Sequence, residues 1–391
     1  MNRVWIGTSL TLASGIALAQ PTLPPSAADI AAPPPLSAQQ APVALLVDQA
    51  SGQTLYERGA SKPFLPASMT KAMTLLVAFD LIAQGKLRED QLLAVRPETA
   101  ARWSGKGTSL YLHSGMQIAV KDLLLGISTA SANDASVVLA EGAAGSESGW
   151  LELMNARATA LQMTGSRFGS PNGWPDGGRT QVTARDLARL ARAIVADHPQ
   201  LYARYIGKSA IVWNGATFRN HDPFAGAVAG ADGIKTGHTT EAGYNFLGSV
   251  QRGGRRLTVV VAGMPSEAAR AKASRDLIEW GYAAWHSRAV APRGAIVGRA
   301  AVQDGAQRSV PLALSAPLTV ALRPAGRAAL RTQIRFTGPL RAPIAKGAVV
   351  AELYVTVDGG APATFPLQAA QAIAQAGPLA RVRNGVMGVF E

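Results

Sequence analysis

The chain has 391 residues, 48% apolar and 16% charged, with a formal net charge of +13. That length exceeds what a single hydrophobic core usually fills, so two domains are expected, and the apolar share excludes global disorder. Cysteine is absent and the five histidines, His113, His198, His221, His238 and His286, form no pair at metal-ligand spacing, which excludes disulfides, thiolate chemistry and iron–sulfur clusters and leaves no cofactor or catalytic metal expected.

At the start, Arg3 precedes an apolar run over residues 4–18 that closes on Ala17-Leu18-Ala19, the small-x-small pattern a signal peptidase cleaves, so residues 1–19 read as an export signal. A membrane anchor is the competing reading, but Gly7, Thr8, Ser9, Thr11 and Ser14 interrupt the run before it reaches about 20 apolar residues. Residues 20–41 carry Pro24-Pro25 and Pro33-Pro34-Pro35, the composition of an extended linker. A first domain is expected over residues 42–287.

That domain opens with a β-hairpin over 43–47 and 53–57, turning at Ser51-Gly52. Apolar positions three or four apart then predict helices over 69–84, 120–127, 133–141, 150–163 and 183–196. A second hairpin, 244–250 with 257–264, turns at Gly253-Gly254 and can share one antiparallel sheet with the first, and a last helix over 267–285 lies against it. The fold class is therefore α/β (α+β): an antiparallel sheet flanked by helices, an all-helical lobe, and a cleft at their junction. From about residue 288 short strands separated by Pro and Gly (310–314, 318–322, 333–336, 349–357, 364–367) predict a small β-rich domain over 288–376. The tail, 377–391, sets Arg381 and Arg383 beside Val382, Val386, Met387 and Phe390; it reads either as a membrane-surface segment or as a frayed terminus.

Three motifs carry chemistry. Pro66-Ala67-Ser68-Met69-Thr70-Lys71 sits where a loop enters a helix, so Ser68 and Lys71 stack on one face one turn apart. A lysine amine can take a serine proton if burial or neighbouring cations lower its pKa. Alone, S-x-x-K is as well explained by a serine cap and a solvated lysine, but Ala72, Met73, Leu75, Leu76, Val77 and Phe79 make this helix apolar nearly all round, so Lys71 is expected to be buried. Ser131-Ala132-Asn133 falls between two helices, and its hydroxyl and amide are expected to project from a loop, although Ser131 also fits a helix cap. Ser170-Pro171-Asn172 has the same S-x-N form, but Pro171 and the glycines after it read as turn chemistry or a cleft-edge loop. Lys235-Thr236-Gly237-His238 is expected just ahead of the strand at Tyr244, where Lys235 offers a cation for a carboxylate and Gly237 lets a substrate backbone approach.

In this order and spacing the motifs resemble those of the penicillin-recognising serine enzymes and, among them, the low-molecular-mass D-alanyl-D-alanine carboxypeptidases (penicillin-binding proteins), over roughly residues 42–367. Ala132 stands where relatives often carry glycine or aspartate. The resemblance implies a β-lactamase/transpeptidase-like fold and removal of the terminal D-alanine from peptidoglycan pentapeptides during wall maturation and shaping. It also implies β-lactams as covalent inhibitors and a periplasmic address, with peripheral contact to the outer face of the inner membrane through the tail. By that resemblance Lys71 deprotonates Ser68, backbone N–H groups of Ser68 and His238 hold the oxyanion, Ser131 relays a proton with Lys235, Asn133 binds the substrate amide, and Thr236 and Arg219 place the terminal carboxylate. Arg219 rests only on Phe218-Arg219-Asn220 and also reads as a surface arginine.

Rival readings are a β-lactamase, for which residues 165–178 lack a glutamate, a D,D-endopeptidase, and a non-catalytic wall-binding protein. Nucleic acid is disfavoured because the arginines are scattered rather than set in stripes with aromatics.

Overall fold

A computed structural model describes residues 5–6, 33–323, 329–358, 360 and 362–377; all but two residues of the expected export signal, most of the linker and all but one residue of the tail lie outside them. The chain divides into two compact units, Ala32–Gln49 with Leu55–Ala283, and Ala50–Thr54 with the described residues from Ala284 onward.

In the first unit five strands form one sheet: β1 (Val43–Asp48), β2 (Thr54–Arg58), β3 (Ala231–Thr239), β4 (Gly243–Arg252) and β5 (Arg255–Met264), in the order β2-β1-β5-β4-β3. β5 pairs antiparallel with β1 in the register Val259↔Leu46 and Val261↔Ala44, so the two expected hairpins do share a sheet. β4 and β5 are both buried through their middles, and in β5 Val259-Val260-Val261-Ala262 run without alternation, as a strand covered on both faces requires. A helix over Glu267–Ala284 follows β5.

Between β2 and β3 lie helices α1 (Lys71–Ala83), α2 (Val120–Ser128), α3 (Asn133–Ala144), α4 (Glu147–Ala160) and α5 (Ala184–Asp197), with a 3-10 turn at Ala67–Thr70 ahead of α1. α1 is buried from Lys71 through Phe79, as an all-round apolar helix must be, and Met73, Leu76 and Phe79 join one core with Leu123, Leu139, Trp150 and Leu187. Ser146 and Thr183 cap α4 and α5, accepting from Gly149 N at 3.1 Å and Asp186 N at 3.2 Å.

Two expectations are corrected here. Lys235-Thr236-Gly237 stands ahead of the strand at Tyr244, as expected, but is not in a loop: it lies inside β3, an edge strand whose glycines hide the period-two pattern. Asn133 belongs to the first turn of α3, in keeping with the helix expected over 133–141, and of its motif only Ser131 and Ala132 are in the loop.

The second unit holds strands β6 (His286–Ala291), β7 (Ile296–Gln303), β8 (Ser309–Leu314), β9 (Leu318–Leu322), β10 (Leu330–Phe336), β11 (Leu340–Arg341), β12 (Val349–Val357) and β13 (Ala363–Ala369). One sheet contains the order β10-β12-β13-β8-β7-β11, and β6 pairs with β9. Alternate residues such as Leu353, Val355, Phe365 and Leu367 enter a separate core with Val310 and Leu312. β6 spans the expected boundary at 287/288, and β6 and β7 had no counterpart among the expected strands.

Candidate active site

The first unit carries a cleft of about 430 Å³ lined by Ser68, Ser131, Asn133, Thr236, Gly237 and His238, so all three motifs meet at one place. Ser68 lies in the 3-10 turn and is half-buried, while Lys71, one turn on, is fully buried. Lys71 Nζ donates to Asn133 Oδ1 at 2.8 Å and to the Asn172 carbonyl at 2.7 Å, and lies 2.7 Å from Ser68 Oγ, where the lone pair of the neutral amine can accept from the hydroxyl. Burial first, and the charge of Lys235 second, push the Lys71 amine well below its ordinary range, with Asp134 opposing. A neutral amine 2.7 Å from a hydroxyl is a base positioned to take its proton.

Lys235 is buried on β3, with Nζ 3.1 Å from the Thr236 carbonyl. Burial, then the neighbouring Arg270, lower its pKa to about 7 against the opposing charge of Asp222. The charge of Lys235 in turn disfavours a second cation at Lys71.

β3 can lie against the Ser68 turn because Gly237 has no side chain: a Cβ there would stand 2.4 Å from the Pro66 carbonyl oxygen and 3.2 Å from Ser68 N. The same contact brings the backbone at Gly237 and His238 beside the nucleophile. Ala67 and Ser131, each directly beside or within the chemistry, hold left-handed backbone at φ 48° and 58°, a conformation that side-chain-bearing residues adopt only where the surroundings enforce it.

On the lobe side the Ser131 carbonyl accepts from Thr108 Oγ1 at 2.6 Å, and Asp134 ties the neighbouring segment down. Buried at the start of α3, it accepts from Leu110 N and Ala135 N through Oδ1 and from Ser109 Oγ and Leu112 N through Oδ2, at 2.6 to 3.0 Å. Asn133, held by Lys71 through its oxygen, donates through Nδ2 to the Lys106 carbonyl at 2.9 Å.

Of the expected site residues, the structure brings together Ser68, Lys71, Ser131, Asn133, Lys235, Thr236, Gly237 and His238. It does not bring Arg219, which ends the exposed hairpin Ala210–Trp213 with Ala216–Arg219 and is not among the cleft-lining residues. The arginine in the cleft is Arg270, 3% exposed, which donates to Glu267 Oε1 at 2.8 Å and to the His221 carbonyl at 3.3 Å. In sequence Glu267 and Arg270 look like an ordinary i,i+3 surface pair, so nothing there revealed the burial. The segment read as turn chemistry after Ser170 is also part of the site: Asn172 holds Lys71, the Pro171 carbonyl accepts from Thr74 Oγ1 at 2.6 Å, and Gly173 and Trp174 line the cleft. Those contacts are made by main chain, which no residue pattern reports. Among the described residues no group of three or more His, Asp or Glu is placed to hold a metal ion.

The family model of the D-alanyl-D-alanine carboxypeptidases matches residues 28–266, and that of the penicillin-binding protein 5 C-terminal domain matches residues 285–375. The D-alanyl-D-alanine carboxypeptidase DacD of Escherichia coli is 30% identical over 345 residues, covering 87% of this chain and 88% of its own. Among solved structures, penicillin-binding protein 5 from Haemophilus influenzae superposes with a TM-score of 0.73 at 28% identity, over 88% of this chain and 99% of its own. Penicillin-binding protein D2 from Listeria monocytogenes, in its ampicillin-bound form, does so with a TM-score of 0.56 at 30% identity, over 62% of this chain and 97% of its own.

Proposed function

Because the chain belongs to the D-alanyl-D-alanine carboxypeptidase family, we propose that Ser68 is the nucleophile with which it removes the terminal D-alanine from peptidoglycan pentapeptides. It is a serine-type carboxypeptidase, and the observation that most supports the residue assignment is the 2.7 Å contact between a buried, pKa-lowered Lys71 and the Ser68 hydroxyl.

The substrate enters as an extended strand along the open edge of β3, the position where main-chain groups of an edge strand are free to pair. Its terminal carboxylate goes to the Thr236 hydroxyl and to Lys235 and Arg270, the two cations on the sheet side of the cleft, with Arg270 taking the place first given to Arg219. Neutral Lys71 takes the Ser68 proton as Oγ adds to the carbonyl between the two D-alanines. Backbone N–H groups of Ser68 and His238 hold the resulting oxyanion, each worth on the order of 3 kcal/mol. Asn133 orients the substrate amide while it positions Lys71. The proton passes through Ser131 to the departing D-alanine, and water then hydrolyses the Ser68 ester with Lys71 again as base.

β-Lactams enter the same reaction as far as the ester, a reading supported by the ampicillin-bound Listeria relative. Glu267 is the glutamate nearest to serving a β-lactamase, but its carboxylate is engaged with Arg270. We place the enzyme outside the cytoplasm, in the periplasm, on the strength of residues 4–19, and assign residues 377–391 a peripheral role at the outer face of the inner membrane. No helix among the described residues is long and apolar enough to cross a membrane.

Mass spectrometry after incubation with a penicillin, together with assay of D-alanine release from a pentapeptide, tests the assignment. The wild type is expected to carry one adduct on Ser68 and to release D-alanine; Ser68→Ala is expected to do neither. Retention of both by Ser68→Ala would overturn it.

A further inference from the structure

Trp174 and Tyr244 are the large rings that line the cleft, and Tyr244 is already covered by His238, stacked at 3.9 Å between ring centroids. Trp174 meets Trp103 edge-on at 6.0 Å, and Trp103 is buried beneath it. Lys106 Nζ stands 5.1 Å from the centroid of each indole, so the ammonium is held by two rings rather than by a carboxylate. Arg102, one turn earlier, is paired with Glu147 at 3.0 Å, whereas none of the ion pairs among the described residues includes Lys106. This corner is fixed to the reaction centre, because the Lys106 carbonyl holds Asn133 and a Cβ on Gly107 would strike both the Trp174 ring, at 2.8 Å, and Asn133 Nδ2, at 2.9 Å.

With the terminal carboxylate assigned to the sheet side and the scissile carbonyl to Ser68, the acyl part of the substrate has Gly107, Thr108, Gly173 and Trp174 left to lie against. Only Trp174 offers an apolar surface there, and Lys106 sets its ammonium over that ring. We propose that Trp174 and Lys106 form the subsite for the residue preceding the D-alanyl-D-alanine pair, and that it selects a side chain with an aliphatic stem ending in a carboxylate. The stem lies on the indole and the carboxylate meets an ammonium whose position is already fixed, so little side-chain freedom is lost on binding. The inference rests on the carboxypeptidase reading above.

The test uses three acyl-tripeptides ending in D-alanyl-D-alanine, identical except that the preceding side chain ends in a carboxylate, a primary amide or an ammonium. The wild type is expected to cleave them in that order of kcat/KM, the first ahead of the last by about fivefold at low salt and by less at high salt. Lys106→Met is expected to bring that ratio close to one, Lys106→Arg to keep it, and Trp174→Ala to lower all three values together. Penicillin labelling of each variant reports that its Ser68 site is intact. A wild-type ratio near one, or a ratio unchanged in Lys106→Met, would overturn the subsite. Failure of the wild type to release D-alanine from any of the three would instead sink the carboxypeptidase reading on which it stands.

Discussion

In the proposed reaction Lys71 has to be neutral to take a proton from Ser68, while Lys235 has to be charged to hold an anion, and both amines are buried. The neutral fraction of Lys71 grows as pH rises through its lowered pKa, and Lys235 loses its charge as pH rises through about 7. A bell-shaped profile of kcat/KM is therefore expected, its alkaline limb starting near 7 in the free enzyme; because a bound carboxylate retains the Lys235 proton, the limb of kcat should lie higher. Steady-state kinetics across pH 5 to 10 check this, and a kcat/KM that climbs steadily to pH 9 would show that a charged Lys235 is not required. The same lysine lowers stability. Its folded pKa is below its unfolded value, so the unfolded chain binds more protons between about 7 and 10.5, and stability rises with pH through that window. At about 1.4 kcal/mol per unit the penalty at neutral pH is on the order of a few kcal/mol. Lys235→Met is expected to raise Tm at pH 7 by roughly 5 °C, with the gain vanishing near pH 11, while carboxypeptidase activity falls by about 100-fold or more. Thermal melts of both proteins at the two pH values decide it.

β3 is the element on which the geometry turns, since it presents Lys235 to the interior and Thr236 to His238 to the cleft while lying against the Ser68 turn. Gly237→Ala forces a Cβ against the Pro66 carbonyl and either pushes β3 away or tilts the turn. A loss of about 1–3 kcal/mol in stability and a fall in penicillin acylation rate of at least tenfold are expected, measured by denaturant melts and stopped-flow labelling. The helices around β3 were readable in advance because their apolar spacing is regular, and the hairpin of β4 and β5 because Gly253-Gly254 separates two apolar runs. β3 itself was not, because Gly233, Gly237 and the buried Lys235 leave no alternation to see. Ser68, Lys71, Ser131 and Asn133 were found through motif order. That Arg270 lines the cleft could not be read in advance, because burial of one arginine on an alanine-rich helix depends on what packs over it. Asn172 escaped because it acts through its carbonyl, which every residue type possesses.

Each of the two units has its own core, one built on α1 and the sheet of β1 to β5, the other on the strands from β7 to β13. Calorimetry of the full chain is expected to show two transitions, and a covalently bound penicillin should move only the one belonging to the unit that contains Ser68. A single transition shifted as a whole would contradict this. The order β2-β1-β5-β4-β3 also has a temporal meaning, since Leu46 finds its partner at Val259, far along the chain. A ribosome delivers β1 first and must keep working until β5 has emerged before the sheet can close, so most of this unit is made before any of it can lock. A nascent polypeptide that stays slack for so long is one that a secretion channel can still thread, which suits a chain whose opening residues read as an export signal.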